Sequence, residues 1–298
     1  MQPATASPFT PLPHLSVLQA SGPDAATFLQ GQLTQDVLGL SADEARLGGF
    51  CSAKGRLQAS FVLLRPQPDT VWLLVSADLA EALCKRLRMF VLRAQCRLEP
   101  MPWPVWGAWS SELPAYRAAV TAASEGALAS VHVGWPGGRQ LRVGPGGPAD
   151  GPAMANGEAT LAWRQADIEC GLPWIEAATV DRFVPQMVNL ELLGGVNFRK
   201  GCYPGQEVVA RSQYRGTLKR RTAWFETTSP LQPGQELVHS SDPGQPSGTV
   251  VNCVQRQGLT QALVEVKLSA LNDPHGHWTP ALQARTLPYA WPTEAEAN

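Results

Sequence analysis

The chain has 298 residues, 44% hydrophobic and 16% charged, and its 24 basic and 25 acidic side chains leave a net charge of −1. That length and composition build a full globular core of about two or three domains. The charge balance argues against a broad electrostatic surface for nucleic acid, leaving at most weak RNA binding through a small local basic patch. No apolar run reaches the roughly 20 residues that span a bilayer, so no membrane partner is expected. Residues 1–13 carry no Lys or Arg and no apolar segment. They read as a proline-containing lead-in rather than a secretory or transit peptide, and the expected location is cytoplasmic. Cys51, Cys84, Cys96, Cys170, Cys202 and Cys253 are scattered without a C-x-x-C pair. This predicts free thiols in a reducing compartment, with no disulfide framework and no structural metal.

In chain order, Leu15, Val17 and Leu18 predict a strand, Ser21-Gly22-Pro23-Asp24 a turn with cap chemistry, and Phe28, Leu29 and Leu33 a helix. Two strands follow at 57–64 and 70–76, joined through Arg65-Pro66-Gln67-Pro68-Asp69. Leu79, Leu83, Leu87, Phe90 and Val91 mark one face of an amphipathic helix. The Gly- and Pro-rich stretch 134–153 reads as a surface loop and a domain boundary. Residues 174–200 read as irregular, and 204–214 as a helix with Pro204 in its first turn and Gly216 as its stop. Short strands at 221–226, 235–239, 248–253 and 263–267, with a closing strand near 281–287, predict a small β-barrel. The tail 293–298 reads as loose.

The most informative stretch is Gly194-Gly195-Val196-Asn197-Phe198-Arg199-Lys200-Gly201-Cys202-Tyr203-Pro204-Gly205-Gln206-Glu207. It is a glycine-rich turn that delivers a lysine and a thiol to the start of a helix. Helix N–H donors and the Lys200 cation both favour thiolate, which makes Cys202 a candidate reactive cysteine. The competing reading is a cysteine that only packs a tight turn.

Lys200-Gly201-Cys202-Tyr203-x-Gly205-Gln206-Glu207 resembles the signature of the YgfZ family, which includes a mitochondrial iron–sulfur assembly factor. Pro185-Gln186, Asn189-Leu190, Arg211, Tyr214-Arg215-Gly216 and Lys219-Arg220 extend the resemblance. So do Phe28-Leu29-Gln30-Gly31-Gln32-Leu33-Thr34-Gln35-Asp36 and Cys51-Ser52-Ala53-Lys54-Gly55-Arg56. The resemblance implies an α+β, three-lobed architecture shared with the glycine-cleavage aminomethyltransferase. Its lobes would be 1–50 plus 150–215 for folate, an inserted domain at 51–149, and a C-terminal β-barrel at 217–292. It also implies a tetrahydrofolate site, with Glu169, Arg164, Lys200, Tyr203, Gly205, Gln206, Glu207 and Arg211 as the residues that hold it and Cys202 as the functional thiol.

In the aminomethyltransferase family a glutamate recognises the pterin ring, and Arg164-Gln165-Ala166-Asp167-Ile168-Glu169-Cys170-Gly171-Leu172-Pro173 is similar to that stretch, with Glu169 at the glutamate position and Asp167 as a competitor. A carboxylate suits a pterin because it accepts hydrogen bonds from both a ring N–H and the amino group. The same family carries an Asp after a Lys-Gly turn to assist methylene transfer. Here the matching positions are Ala59 and Ser60, which argues against an active aminomethyltransferase.

His275-Gly276-His277 is an incomplete metal set and reads as a solvent loop. Trp103, Trp106 and Trp109 read as a packed loop, and Lys219-Arg220-Arg221 as either a solvated turn or a contact for RNA or the anionic folate tail. The resemblance therefore points to a folate-binding accessory factor whose partners are iron–sulfur client enzymes, including those that modify tRNA. The alternatives are a folate-dependent one-carbon transferase using Cys202 and a tRNA-binding module using the barrel.

Overall fold

The computed structural model describes residues 9–109, 112–122, 128–145, 157–214 and 218–292. The first residues of the lead-in, residues 146–153 of the glycine-rich stretch, Arg215, Gly216 and the tail 293–298 lie outside the described residues. The chain opens with β1 (Thr10–Pro11), β2 (Leu15–Ser21) and α1 (Ala25–Gln30), followed by β3 (Ala45–Cys51), β4 (Leu57–Gln67) and β5 (Thr70–Ser76). Then come α2 (Ala80–Arg88), β6 (Arg97–Met101), β7 (Val105–Ala108), β8 (Ala118–Ala122), β9 (Leu128–Trp135) and β10 (Arg139–Val143). The second half holds α3 (Gly157–Glu169), two 3-10 turns (Ala177–Thr179 and Pro185–Val188) and α4 (Gln206–Tyr214). It closes with β11 (Arg220–Thr227), β12 (Glu236–His239), β13 (Pro246–Arg256), β14 (Leu259–Lys267), α5 (Leu268–Leu271), β15 (Trp278–Thr279) and β16 (Gln283–Arg285).

By contacts the chain divides into two compact units. The first comprises Met1–Gln30, Asp36–Arg46 and Phe61–Trp163. In it β5 lies antiparallel to β2, with Leu15 opposite Ser76 and Ser21 opposite Thr70, and β6 flanks β2 on the other side. Every residue of β5 is buried, as its unbroken run of β-formers dictates for a strand covered on both faces. A second sheet has the order β1-β7-β10-β9-β8. Trp103 packs edge-on against Trp72 at 4.9 Å and Trp109 against Trp163 at 5.9 Å, while Trp106 is buried within strand β7 rather than in a loop.

Three local readings change. The 65–69 joint is shorter than expected because β4 runs on to Gln67, with its register shifting between Leu64 and Gln67. Pro66 has no N–H to give the ladder and falls in that shift. The glycine-rich stretch begins as a hairpin, with Arg139 pairing Trp135 and Gln140 pairing Gly134. Gly137 and Gly138 take positive φ in the turn between them, so glycine density there marks a tight reversal. Finally, α2 stops at Arg88, where Phe90 and Val91 donate to the carbonyls of Leu87 and Arg88 and tighten the helix end.

The second unit comprises Gly31–Gln35, Leu47–Ser60 and Arg164–Asn298. Its C-terminal sheet is six-stranded, in the order β15-β12-β13-β14-β11-β16, around a core of Phe225, Leu237, Val250, Val264 and Val266. The pairing is linear, with β15 and β16 at the two edges. No helix among the described residues is long and apolar enough to cross a membrane.

Candidate functional site

Two glycine turns of the second unit interlock. Between β3 and β4 the Gly55 N–H donates to the Ser52 carbonyl at 2.8 Å, and Gly55 takes φ +71°. Ahead of α4 the Gln206 N–H donates to the Tyr203 carbonyl at 3.2 Å, and Gly205 takes φ +78°. A Cβ on Gly205 would come within 2.4 Å of the Ser52 oxygen and 2.6 Å of the Gly55 Cα. A Cβ on Gly55 would lie 2.8 Å from the Val208 Cβ. Only glycine supplies both the left-handed dihedral and the backbone-to-backbone approach. The two motifs singled out in the sequence are thus the two halves of one contact.

The loop leading to Cys202 is tied down from the other side by Thr34 and Gln35. The Thr34 hydroxyl donates to the Gly195 carbonyl at 2.7 Å and accepts from the Gly49 N–H at 2.8 Å. The Gln35 amide donates to the carbonyls of Leu47 and Gly194 at 2.9 and 2.7 Å. Asn197 caps the turn, its Oδ1 accepting from the N–H groups of Arg199 and Lys200 at 2.9 and 3.0 Å. Lys200 Nζ donates to the Leu33 carbonyl at 2.6 Å and lies 5.1 Å from the Tyr203 ring centroid. The lysine therefore clamps the loop. Thr34, Gln35 and Asn197 build this site without having been marked by their chemistry in the sequence; they are ordinary polar residues whose partners lie far along the chain.

Cys202 is exposed, whereas Tyr203 beside it is buried. The helix begins at Gln206, two residues later than expected, because Pro204 and Gly205 form the turn and not the first helical residues. Burial, reinforced by the neighbouring Cys51, pushes the Tyr203 phenol up. Burial also pushes the Cys51 thiol up to about 12, with the Asp181 carboxylate adding to it. Along α4, Gln206 is half-buried while Glu207 and Arg211 are exposed. Phe198 packs edge-on against Tyr214 at 5.8 Å, bracing the loop against the helix.

The Arg164–Pro173 stretch forms the last turns of α3 and its exit. Arg164 is paired with Glu176 at 2.8 Å. Asp167 is 2% exposed and accepts from the Trp174 indole N–H at 3.1 Å. Glu169 is half-buried; one oxygen accepts from Gln165 at 2.8 Å, and the other has no hydrogen-bond partner among the described residues. The two candidate carboxylates are therefore not equivalent, since Asp167 is committed to Trp174 and Glu169 keeps an open acceptor. Ser60 is buried, its hydroxyl donating to the Pro173 carbonyl at 3.0 Å and accepting from the Ile175 N–H at 2.9 Å. Asn252, which the sequence did not reveal, holds both backbone groups of Trp174 at 2.7 and 2.8 Å.

The basic run is largely consumed. Arg220 pairs with Glu265 at 2.6 Å, and Arg221 pairs with Glu191 in a buried contact that also reaches the Gln186 carbonyl. Only Lys219 is exposed. His275 and His277 lie in the loop after α5, and no group of three or more potential metal ligands exists among the described residues.

This architecture is that of a solved aminomethyltransferase. The crystal structure of glycine cleavage system aminomethyltransferase T from Bartonella henselae matches 89% of this chain and 79% of its own, with a TM-score of 0.65 at 14% identity. The class is thus a mixed α/β protein of the aminomethyltransferase T fold. No protein-family model matches the chain. Among individual proteins, tRNA-modifying protein YgfZ of Edwardsiella ictaluri is 33% identical over 269 residues, covering 79% of each chain. That of Klebsiella pneumoniae is 33% identical over 294 residues, covering 91% of this chain and 89% of its own. That of Yersinia pestis is 31% identical over 299 residues. The chain belongs to the YgfZ family.

Proposed function

We propose that this protein binds tetrahydrofolate and acts in the cytoplasm as an accessory factor for maturation or repair of iron–sulfur enzymes, those that modify tRNA among them, with Cys202 as its functional thiol. The relatives' name, tRNA-modifying protein YgfZ, supports the tRNA connection. The observation that carries the folate reading is the open carboxylate oxygen of Glu169, held at the end of α3 beside a pinned backbone segment. Such a group fits a pterin, whose ring N–H and amino group are donors needing a fixed acceptor. Arg164 acts from one side by fixing Glu176. Lys200, Tyr203, Gly205 and Gln206 build the turn that presents Cys202, while Glu207 and Arg211 offer exposed charges along α4. Bound folate would supply a reduced pterin and a one-carbon carrier. In the same reading the chain keeps three lobes, 1–50 with 150–215, 51–149 and 217–292, the last closing as a barrel.

Neither competing function is favoured. A one-carbon transferase lacks an ionisable group at Ala59 and Ser60, and the Ser60 hydroxyl is committed to backbone at both ends. A tRNA module using the C-terminal barrel would find one exposed cation in its 219–221 run, since Arg220 and Arg221 are paired with Glu265 and Glu191. Calorimetric titration with tetrahydrofolate forms tests the reading, together with rescue by Cys202→Ala of a tRNA-modifying iron–sulfur enzyme in cells lacking the protein. Absence of binding at millimolar folate overturns the cofactor, and full rescue overturns the role of the thiol.

A further inference from the structure

A second surface, in the first unit, plays no part in that site. Between residues 85 and 97 stand Lys85, Arg86, Arg88, Arg93 and Arg97 with no acidic residue among them, in a chain whose net charge is −1. All five are exposed. The last turn of a helix attracts cations because of its dipole, which accounts for Lys85, Arg86 and Arg88 at the end of α2. It does not account for Arg93, which lies past the helix, nor for the apolar side chains between them. Met89 is 61%, Leu92 86% and Phe90 37% exposed. The apolar face of α2 is already used, with Leu83, Cys84 and Leu87 buried, so these three side chains form a separate tip.

The cations differ in what they do. Arg88 donates to the Leu98 carbonyl at 2.8 Å and Arg97 pairs with Glu99 at 2.8 Å. Arg86 lies over the Phe90 ring, 5.4 Å from its centroid. Lys85 and Arg93 have no ion-pair partner among the described residues. Two free cations and a guanidinium parked on an aromatic face, around exposed apolar side chains, make a platform for a polyanion that also offers flat rings. Unpaired RNA is such a ligand, because its phosphates pair with Lys and Arg while its splayed bases stack on aromatic and guanidinium planes. A second copy of this chain is disfavoured, since the patch would face its own five cations. An interfacial membrane helix buries a whole apolar face, and that of α2 is in the core.

We propose that the 85–97 surface binds single-stranded segments of RNA, with Lys85, Arg86 and Arg93 on the phosphates and Phe90 as the stacking face. This is independent of the folate reading, as none of these residues belongs to that site, and it is measured without folate. The probe is an unmodified tRNA transcript with a fluorescent label, titrated by anisotropy at several salt concentrations, alongside anionic phosphatidylglycerol vesicles. The variant Lys85→Gln/Arg86→Gln/Arg93→Gln should bind at least about tenfold more weakly, and its log affinity should depend on log salt with a slope smaller by about 2, for three contacts at about 0.7 each. Phe90→Ala should weaken binding with little change of slope, and Lys219→Gln should bind as the parent does. Arg93→Glu, a single change at an exposed position, repeats the test should the triple variant melt early. The proposal is overturned if the parent binds tRNA more weakly than about 100 µM at low salt. It is also overturned if the triple variant and Arg93→Glu bind as tightly as the parent, or if vesicles are bound in preference to RNA.

Discussion

Gly205 and Gly55 meet backbone to backbone, the Cα of Gly55 standing 2.6 Å from where a Cβ on Gly205 would be. The contact joins the turn that follows Cys202 to the hairpin that begins at Ser52, and both glycines need positive φ. Gly205→Ala therefore meets a strained dihedral and a rigid obstacle together. The expected loss is about 2–4 kcal/mol of stability, from left-handed strain and overpacking combined. Gly201→Ala meets nothing within 4 Å and no positive φ, so it should change stability little. Chemical denaturation of the pair checks this; equal losses would show that Gly205 is not set by the Ser52–Gly55 contact.

Glu169 and Asp167 should separate cleanly. Glu169→Ala is expected to weaken tetrahydrofolate binding by about 1–3 kcal/mol while leaving the melting temperature nearly unchanged, because among the described residues its carboxylate accepts from Gln165 alone. Asp167→Ala should do the reverse, stranding the buried Trp174 indole and lowering stability by a similar amount. Calorimetry and thermal melting on both variants decide it, and a reversal of the two phenotypes would move the pterin contact to Asp167.

Among the described thiols Cys202 should be alkylated fastest at neutral pH. It is exposed, while burial holds Cys51 up to about 12, aided by Asp181, and Cys253 up to about 11, aided by Glu176. Burial and the Asp24 carboxylate take Cys96 up to about 11, and burial raises Cys84 as well. Only thiolate reacts, so both access and ionisation work against these four. Limited labelling read by mass spectrometry at each cysteine measures the order. Labelling of Cys84 or Cys253 as fast as Cys202 would contradict it.

Arg221→Met should cost about 3–5 kcal/mol at pH 8, because it leaves the Glu191 carboxylate buried without its partner. Burial already raises the Glu191 carboxyl above its ordinary value of 4.5, and Arg221 is the chief influence lowering it. Without the arginine the folded-state value rises further above the unfolded one. A raised carboxyl binds its proton more tightly in the folded state, so the penalty is full above the folded value and fades as pH falls toward 4.5. The variant's deficit relative to the parent should shrink between pH 8 and pH 5. Denaturant melts across that range test the sign, and a deficit that grows on acidification would refute it.

The sequence by itself determined the family and the parts of the site that are written in unusual residue types. Gly205 stands within the signature around Cys202, a contiguous run legible without a structure, whereas the need for glycine at Gly55 shows only in the fold, where the two turns meet. Alternating and continuous apolar runs likewise placed β2, β5 and five of the six strands of the C-terminal sheet within a few residues, the short β15 being the one not foreseen. Only the tertiary structure decided what each polar group does with its hydrogen bonds. Lys200 reads as a cation beside a thiol but spends its charge on the Leu33 carbonyl, 167 residues away in sequence. Arg220 and Arg221 read as a basic surface but face Glu265 and Glu191. Asp167 and Glu169 are two residues apart and nearly alike in chemistry, yet one points to Trp174 and the other keeps an open oxygen. Local pattern fixes which backbone conformations are cheap; the partner of a charge or a hydroxyl depends on long-range packing, which no short window of sequence contains.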